Sequence, residues 1–330
     1  MTDIDERRFL RHISQEYFDL NGTHYETFDT LPSSLDFSKM VRIARPVLIK
    51  ECAAPVTLFK WTNEYLIERC ADRPVSVAVT PNGRADAVTR GPDNKLYFTE
   101  PLTEQMPMAE FLSKLSPENN PSGEVHYLQS QNGNLRASSA QISEFESLLE
   151  DVPPHLHWCT DALDTLPDAV NLWIGDSRSV TSIHSDPYEN IYSVIRGSKT
   201  FTLLPPTEGW CMNERTYPHA TYERSAESSS LVMVPSPPST PPIRWSSVID
   251  PNAPHALPLE AHPIHITVNA GESLYLPAGW WHYVQQSGVT IAVNYWYDME
   301  SRGMSWVWLN VLRGIKEPPA ANEEGETEVI

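Results

Sequence analysis

The stretch VTSIHSDPYENIYSVIRGSKTFTLLPP, residues 180–206, carries most of the signals that decide the fold of this chain. Its apolar and β-branched runs predict strands at 190–196 and 199–204, joined by a hairpin turn at Gly197-Ser198. The preceding strand, 180–184, leads into His184-Ser185-Asp186, the only His-x-Asp of the chain. Because alternate strand residues point to one side, we expect His184 and Asp186 to aim at one point.

Further strands are expected on both sides of this stretch, at 169–174, 265–268, 273–276, 281–285 and 290–297. Eight short strands with tight turns predict a mainly β protein with flanking helices. Its core would be a double-stranded β-helix, the jelly roll of cupin-like proteins. Outside this core, the spacing of apolar residues predicts helices at 5–20, 61–70 and 108–115 and strands at 45–50, 74–80 and 125–129.

These patterns predict an N-terminal α/β region, residues 1–120, packed on a β domain at 121–300 with a Ser/Pro-rich insertion at 225–254. A helix at 301–316 and an acidic, disordered tail at 317–330 follow. One stripe of the helix is apolar (Trp306, Leu309, Leu312). Such a stripe favours burial against the barrel over pairing in a homodimer, which is the alternative.

Composition narrows the functional classes. The formal net charge of −19 argues against nucleic acid as a partner, because phosphate binding needs a basic surface. The charge suits a basic protein segment, although solubility alone also explains it. The four cysteines lack zinc-site spacing, and we find neither a signal peptide nor a membrane span. We therefore expect a cytoplasmic protein, with the nucleus as an alternative location.

His282 is a candidate partner for the His-x-Asp pair, because it opens a strand directly after a Pro-Ala-Gly turn. Two imidazoles and one carboxylate can cover one face of an octahedral Fe(II) ion and leave the other face open. Taken singly, each histidine is equally compatible with a hydrogen-bonded structural role. Other histidines have weaker contexts for metal binding (His24, His155, His157, His262, His265).

Lys199 begins a strand in which it shares one face with Phe201 and Leu203, so its side chain is expected inside the barrel. A buried ammonium needs an anionic partner, which an acidic cosubstrate would supply. Polar strand residues could orient such a ligand, although local pattern does not select them (Tyr127, Thr181, Asn190, Asn294). Thr181 and His184 are three residues apart, so a β-bulge must intervene if both face one site.

The stretch 180–206 and AGESLYLPAGWWHYVQQSGVTIAVNYWYDME, residues 270–300, together resemble the JmjC family of Fe(II)- and 2-oxoglutarate-dependent oxygenases. Residues 45–50, 125–135 and 170–176 extend the resemblance, which is strongest to its small lysyl hydroxylases. The resemblance implies that His184, Asp186 and His282 bind the metal and that Lys199 binds 2-oxoglutarate. It places further cosubstrate and O₂ contacts at Tyr127, Thr181, Asn190 and Asn294.

The same resemblance implies Fe(II), 2-oxoglutarate and O₂ as cofactor and cosubstrates. It also implies hydroxylation at C3 of a lysine in a protein substrate, such as a translation-associated GTP-binding protein (GTPase). Three alternatives remain open: a metal-dependent endopeptidase cutting near Lys or Arg, a histone lysine demethylase, and a non-enzymatic cupin-like binding module. The chain has no His-Glu-x-x-His helix, which disfavours the peptidase.

Overall fold

The structure is a computed structural model that describes residues 3–54, 59–120, 122–129, 133–137, 143–314 and 317–321. Its α-helices begin and end as follows: α1 Asp3–Asn21, α2 Ser34–Ile43, α3 Asn63–Cys70, α4 Met108–Lys114, α5 His157–Leu163 and α6 Met304–Leu312. Short 3₁₀ helices occur at Pro117–Asn119, Glu146–Leu148 and Pro206–Met212. No helix among the described residues is both long and apolar enough to span a membrane.

Strands dominate the described chain, as expected for a mainly β fold. They are β1 Glu26–Phe28, β2 Val47–Ile49, β3 Pro74–Thr80, β4 Arg84–Ala85, β5 Ala87–Arg90, β6 Leu96–Glu100, β7 Leu102–Pro107, β8 Val125–Tyr127, β9 Arg136–Ala137, β10 Ala169–Gly175, β11 Val180–Ser185, β12 Tyr188–Leu204, β13 Arg215–Tyr217, β14 His219–Arg224, β15 Leu231–Pro235, β16 Ile243–Trp245, β17 Ile264–Asn269, β18 Ser273–Leu276 and β19 Trp281–Asp298.

Two long antiparallel strands, β12 and β19, pair along most of their length and form the centre of the barrel. The first half of β12 also pairs with β18 and its second half with β17. At its two ends, β19 pairs with β11 and β10. Each long strand therefore takes part in two parts of a rolled sheet, which is the double-stranded β-helix that the sequence predicts.

The predicted hairpin at Gly197-Ser198 is wrong, and so is the division into separate strands at 281–285 and 290–297, which are parts of the continuous strand β19. The residues on either side of Gly197 do not pair with each other, because both halves of β12 pair with β19. The register shifts between Val194 and Ser198, and both glycines have positive φ, 76° at Gly197 and 62° at Gly288. These glycines allow bulges, at which a continuous strand bends from one part of the rolled sheet to the other.

Side chains alternate between the two faces of the barrel wall. On β19, Ile291, Val293 and Tyr295 point outward and pack in one core with the helices of the N-terminal region. Ala292 and Trp296 point inward and join a second core inside the barrel. Asn294 occupies an inward position by the same alternation. The interior therefore receives a few polar groups among apolar neighbours.

The N-terminal region is continuous with the barrel. Strands β1 and β2 are parallel neighbours, and β2 extends the main sheet by pairing with β18. Strands β5 and β6 form a separate sheet with β14 and β15. The Ser/Pro-rich segment 225–254 contains regular structure, namely β15 and β16. Residues 87–100 and 219–235 thereby meet in one sheet.

The C-terminal helix differs from the expectation that it is buried. No residue of α6 is buried, and Trp306 and Trp308 are 45% and 56% exposed. The helix packs loosely against the 3₁₀ helix Pro206–Met212 and beside Gly279, where a Cβ atom would collide with Leu309. Whether the exposed face pairs with a second copy stays a prediction. Within the predicted acidic tail, Ala320 forms a β-bridge with Thr216, and residues 322–330 lie outside the described part.

Candidate metal centre and active-site cavity

Two strands place the three candidate metal ligands together. His184 on β11 and His282 on β19 are direct partners across the antiparallel pair, and their ring centroids are 4.2 Å apart. Asp186 follows β11, and its Oδ2 lies 3.6 Å from His184 Nε2 and 3.8 Å from His282 Nε2. One ligand atom of each residue lies within 4.8 Å of the others. A single ion could therefore contact all three side chains.

The predicted bulge is present in β11. Thr181 is opposite Val284, whereas His184 is opposite His282, so three steps on β11 match two on β19. The extra residue allows Thr181 and His184 to face one cavity. It also leaves the Ser182 carbonyl beside His184 Nδ1, at 2.8 Å.

Hydrogen bonds fix the tautomers of both histidines. His184 Nδ1 donates to the carbonyl of Ser182, and His282 Nδ1 donates to the carbonyl of Trp280 at 3.0 Å. A carbonyl oxygen only accepts, so the proton must lie on Nδ1. The lone pair of each Nε2 is then free and directed toward Asp186. In metal sites, a hydrogen bond from one ring nitrogen to a carbonyl commonly orients the other nitrogen toward the metal in this way.

The pKa values show how strongly the three groups interact. Burial would raise the pKa of Asp186, but the neighbouring His184 and then His282 lower it to about 2. Burial, followed by the charge of His184, lowers the pKa of His282 to about 4. Burial opposes the charged form of His184, yet Asp186 outweighs it and raises the pKa of that histidine. A carboxylate and at least one neutral imidazole are thus available at neutral pH, as metal binding requires.

Lys199 lies deeper in the same barrel and has no carboxylate partner in the described chain. It is 2% exposed, and its Nζ donates to Tyr127 Oη at 2.9 Å. Its ammonium also lies 5.3 and 5.5 Å from the ring centroids of Tyr127 and Tyr192. Burial lowers the pKa of Lys199 to about 7. An anionic ligand would stabilise the charged form of Lys199, because a buried cation is costly when unpaired.

The remaining predicted residues form two hydrogen-bonded pairs. Asn294 Nδ2 donates to Asn190 Oδ1 at 3.0 Å, and Asn294 Oδ1 accepts from Trp173 Nε1 at 2.8 Å. Tyr127 is hydrogen-bonded to Thr181 as well as to Lys199. A cavity of about 650 Å³ is lined by all eight residues that the sequence singled out (Tyr127, Thr181, His184, Asp186, Asn190, Lys199, His282, Asn294).

The other histidines do not join this centre. His262 Nδ1 lies 2.9 Å from Glu208 Oε1, and its ring stacks on Phe18. His155 bonds to Thr160, and His265 bonds to Thr202. Each of these contacts is an ordinary structural hydrogen bond.

Sequence reasoning missed two residues that line the open part of the cavity, Asp86 and Trp245. Trp245 belongs to β16, and its ring stacks on His184 with centroids 5.8 Å apart. Asp86 follows β4, which pairs with β11 beside the metal ligands. Trp245 lies in the Ser/Pro-rich segment 225–254, for which the sequence predicted an insertion and no site residue. Asp86 carries no local signal beyond its residue type.

A double-stranded β-helix with two histidines and an aspartate around one point defines a cupin-type protein with a candidate metal site. A family model described as "Cupin-like domain" matches residues 32–303. The chain is 38% identical over 278 residues to the human "Bifunctional peptidase and (3S)-lysyl hydroxylase JMJD7", covering 82% of this chain and 83% of the relative. With "Lysine-specific demethylase JMJ32" of Arabidopsis thaliana the identity is 36% over 311 residues, 89% of this chain and 87% of the relative.

A third relative, "JmjC domain-containing protein E" of Dictyostelium discoideum, is 32% identical over 310 residues, 86% of both chains. This chain belongs to the cupin-like JmjC family. The printed names of the relatives include a hydroxylase, a peptidase and a demethylase, so family membership leaves the reaction and the substrate open.

Proposed function

We propose that this protein is an Fe(II)- and 2-oxoglutarate-dependent dioxygenase that hydroxylates C3 of a lysine in a protein substrate. One observation carries the proposal: a two-histidine, one-carboxylate centre shares a cavity with a buried lysine that has no carboxylate partner among the described residues. The donor set suits Fe(II) with open coordination positions. The unpaired ammonium of Lys199 suits the distal carboxylate of a small dicarboxylate.

The residues of the chain have separable tasks in this reaction. His184, Asp186 and His282 would hold the metal, which supplies redox chemistry toward O₂ when bound. Lys199 and Tyr127 orient 2-oxoglutarate, with Thr181 beside them. The linked amides of Asn190 and Asn294 fix the polar wall next to it. The apolar interior of the barrel keeps water away from these groups.

The substrate assignment rests on charge and on the relatives. Asp86 and Glu100 line the cavity, whose two arginines, Arg244 and Arg313, already pair with Glu214, so these two carboxylates suit a cationic side chain. The name of the human relative includes (3S)-lysyl hydroxylase. A translation-associated GTPase in the cytoplasm is the class of target that we propose.

Turnover with defined products tests the proposal. The protein would be incubated with Fe(II), 2-oxoglutarate, O₂ and a peptide pool that has a central lysine and randomised flanks. Succinate should form together with peptides carrying one added oxygen atom on lysine, and both products should vanish without 2-oxoglutarate. His184→Ala is the inactive control. Absence of succinate from the wild type, despite bound 2-oxoglutarate, would contradict the proposal.

The alternatives give different products in the same assay. A demethylase acting on methylated lysine would release formaldehyde and leave lysine without added oxygen. A peptidase would cut the peptides with or without 2-oxoglutarate. A binding module would show no metal-dependent product, and His184→Ala would leave its binding unchanged.

A further inference from the structure

The open end of the cavity contains a carboxylate with an unusual environment, Asp86. Its Oδ2 accepts a hydrogen bond from Gln129 Nε2 at 3.1 Å, and it forms no salt bridge with any described residue. Burial, and then the charge of Glu100, raise the pKa of Asp86 to about 6. A partly buried carboxylate without a counter-ion is costly, and a cationic ligand would remove that cost.

The backbone holds Asp86 in a defined position relative to the metal ligands. Its φ is 51°, in the left-handed region that few residues other than Gly, Asn and Asp adopt readily. Ser182 donates its hydroxyl to the Asp86 carbonyl at 2.6 Å, while the Ser182 carbonyl accepts from His184. One residue therefore connects Asp86 with a candidate metal ligand.

Aromatic rings line the same part of the cavity. Trp245 lies with its ring nearly parallel to that of His184, and it packs against Phe98 with centroids 4.7 Å apart. Glu100 also lines the cavity and keeps its side chain half exposed near His219. Aromatic faces beside carboxylates are the combination that binds an alkylammonium group, through contact with the methylenes and attraction to the charge.

We propose that Asp86 selects the substrate side chain, by pairing with the ammonium group of a lysine whose methylenes lie along Trp245 and Phe98. This specificity role rests on the proposed function, because it places the lysine beside the metal ligands. Glu100 contributes a second, weaker attraction from its more exposed position. Gln129 holds the Asp86 carboxylate before the substrate arrives, so little ordering is needed at binding.

Asp86→Asn is the sharpest test, because asparagine tolerates the same positive φ and can still accept from Gln129. Binding would be measured without O₂, with Mn(II) and 2-oxoglutarate present, to two peptide pools that differ only in a central lysine or norleucine. The wild type should prefer the lysine pool at least about tenfold, as expected for a charge pair removed from water. Asp86→Asn should bring that ratio close to one and leave 2-oxoglutarate affinity unchanged.

Matched variants distinguish an effect of the Asp86 carboxylate itself from an effect of the protein's net charge. Glu100→Gln should lower the preference for lysine by only about two- to threefold, since exposed ion pairs contribute little. Asp72→Asn removes the same charge from an exposed position outside the cavity and should change nothing. Equal affinity of the wild type for both pools, or an unchanged preference in Asp86→Asn, would overturn the proposal. Because no turnover is measured, failure of the hydroxylase assay would not be mistaken for failure of this role.

Discussion

The two ends of the cavity differ in charge and in how completely their polar groups are paired. At the closed end, Lys199 is enclosed by Tyr127 and Tyr192 and presents a buried cation. At the open end, Asp86 and Glu100 present carboxylates beside aromatic rings, while Arg244 and Arg313 on the same cavity wall pair with Glu214. The three candidate metal ligands lie on the cavity wall together with both groups.

Because the charges near the two ends differ, two different ligands could bind separately in one barrel. An anionic cosubstrate is favoured beside Lys199, while a cationic side chain is favoured beside Asp86 and Glu100. The wall of the barrel supplies the same scaffold to both ends. The following changes would break or sharpen this contrast, in decreasing order of expected effect.

His184→Ala should have the largest effect, because it removes a ligand that serves both ends. Loss of a group that only hydrogen-bonds to a metal ligand typically costs about 10–100-fold in metal affinity or activity. Loss of a ligand itself should therefore cost more than about 100-fold. Titration with Fe(II) and succinate formation measure the two losses. His265→Ala, at an exposed position whose ring bonds Thr202, is the control. Retained metal affinity in His184→Ala would remove the basis for the centre.

Lys199→Met should separate the closed end from the rest of the cavity. We expect the affinity for 2-oxoglutarate to fall about 100-fold, since a buried charge pair is lost, while metal affinity is kept. The ligand-free variant should be more stable by ~1–3 kcal/mol, because an unpaired buried charge is replaced by an apolar chain of similar length. Calorimetric titration and thermal unfolding measure both quantities. Lys95→Met, at an exposed position, should change neither.

The pH dependence of cosubstrate binding should follow Lys199. Its pKa of about 7 in the free protein lies below the ordinary 10.5, so it is largely neutral above pH 7. A dicarboxylate that pairs with the charged form must then take up a proton. The dissociation constant for 2-oxoglutarate should rise by up to about tenfold per pH unit above 7 and stay level just below it.

Two further measurements check the direction of this pH dependence. Proton uptake appears in calorimetry as a dependence of the binding heat on the buffer. The free protein should also gain stability between pH 7 and 10.5, because the unfolded chain then holds the proton that the folded chain has lost. Lys199→Arg keeps its charge and should show a level dissociation constant, and the opposite slope in the wild type would contradict the assignment.

Glu214→Gln should have the smallest effect. Glu214 is buried and pairs with Arg244 of β16 and with Arg313 just after α6. Removing its charge should destabilise the protein by about 1–2 kcal/mol and leave 2-oxoglutarate affinity unchanged. Thermal unfolding measures the loss, with Glu223→Gln at an exposed position as the control. An unchanged melting temperature would show that these pairs do not hold the two segments at the cavity mouth.

The closed end was predictable from the sequence because its residues lie on strands with regular alternation. The parity of Lys199 with Phe201 and Leu203 correctly predicted an inward lysine, and all three belong to the buried interior. The spacing of Thr181 and His184 correctly required a bulge. The jelly roll itself followed from the density of short strands.

The open end was not predictable in the same way, because it is assembled by long-range pairing. Asp86 reaches the cavity through the parallel pairing of β4 with β11, nearly one hundred residues later in the chain. Trp245 reaches it through β16, which pairs with β13. The hairpin prediction at Gly197 failed because a glycine with positive φ serves a bulge as well as a turn. The burial of α6 failed because an apolar stripe does not identify what covers it.

The stacking of Trp245 on His184 gives the protein an optical property. An indole whose ring centre lies 5.8 Å from that of a metal ligand can transfer its excitation to a bound open-shell ion, so its emission should fall as the centre fills. Trp173, Trp281 and Trp296 also line the cavity. The difference between the wild type and Trp245→Phe would therefore give the part of the emission change that comes from Trp245. Metal occupancy could then be followed by intrinsic fluorescence on the unlabelled protein.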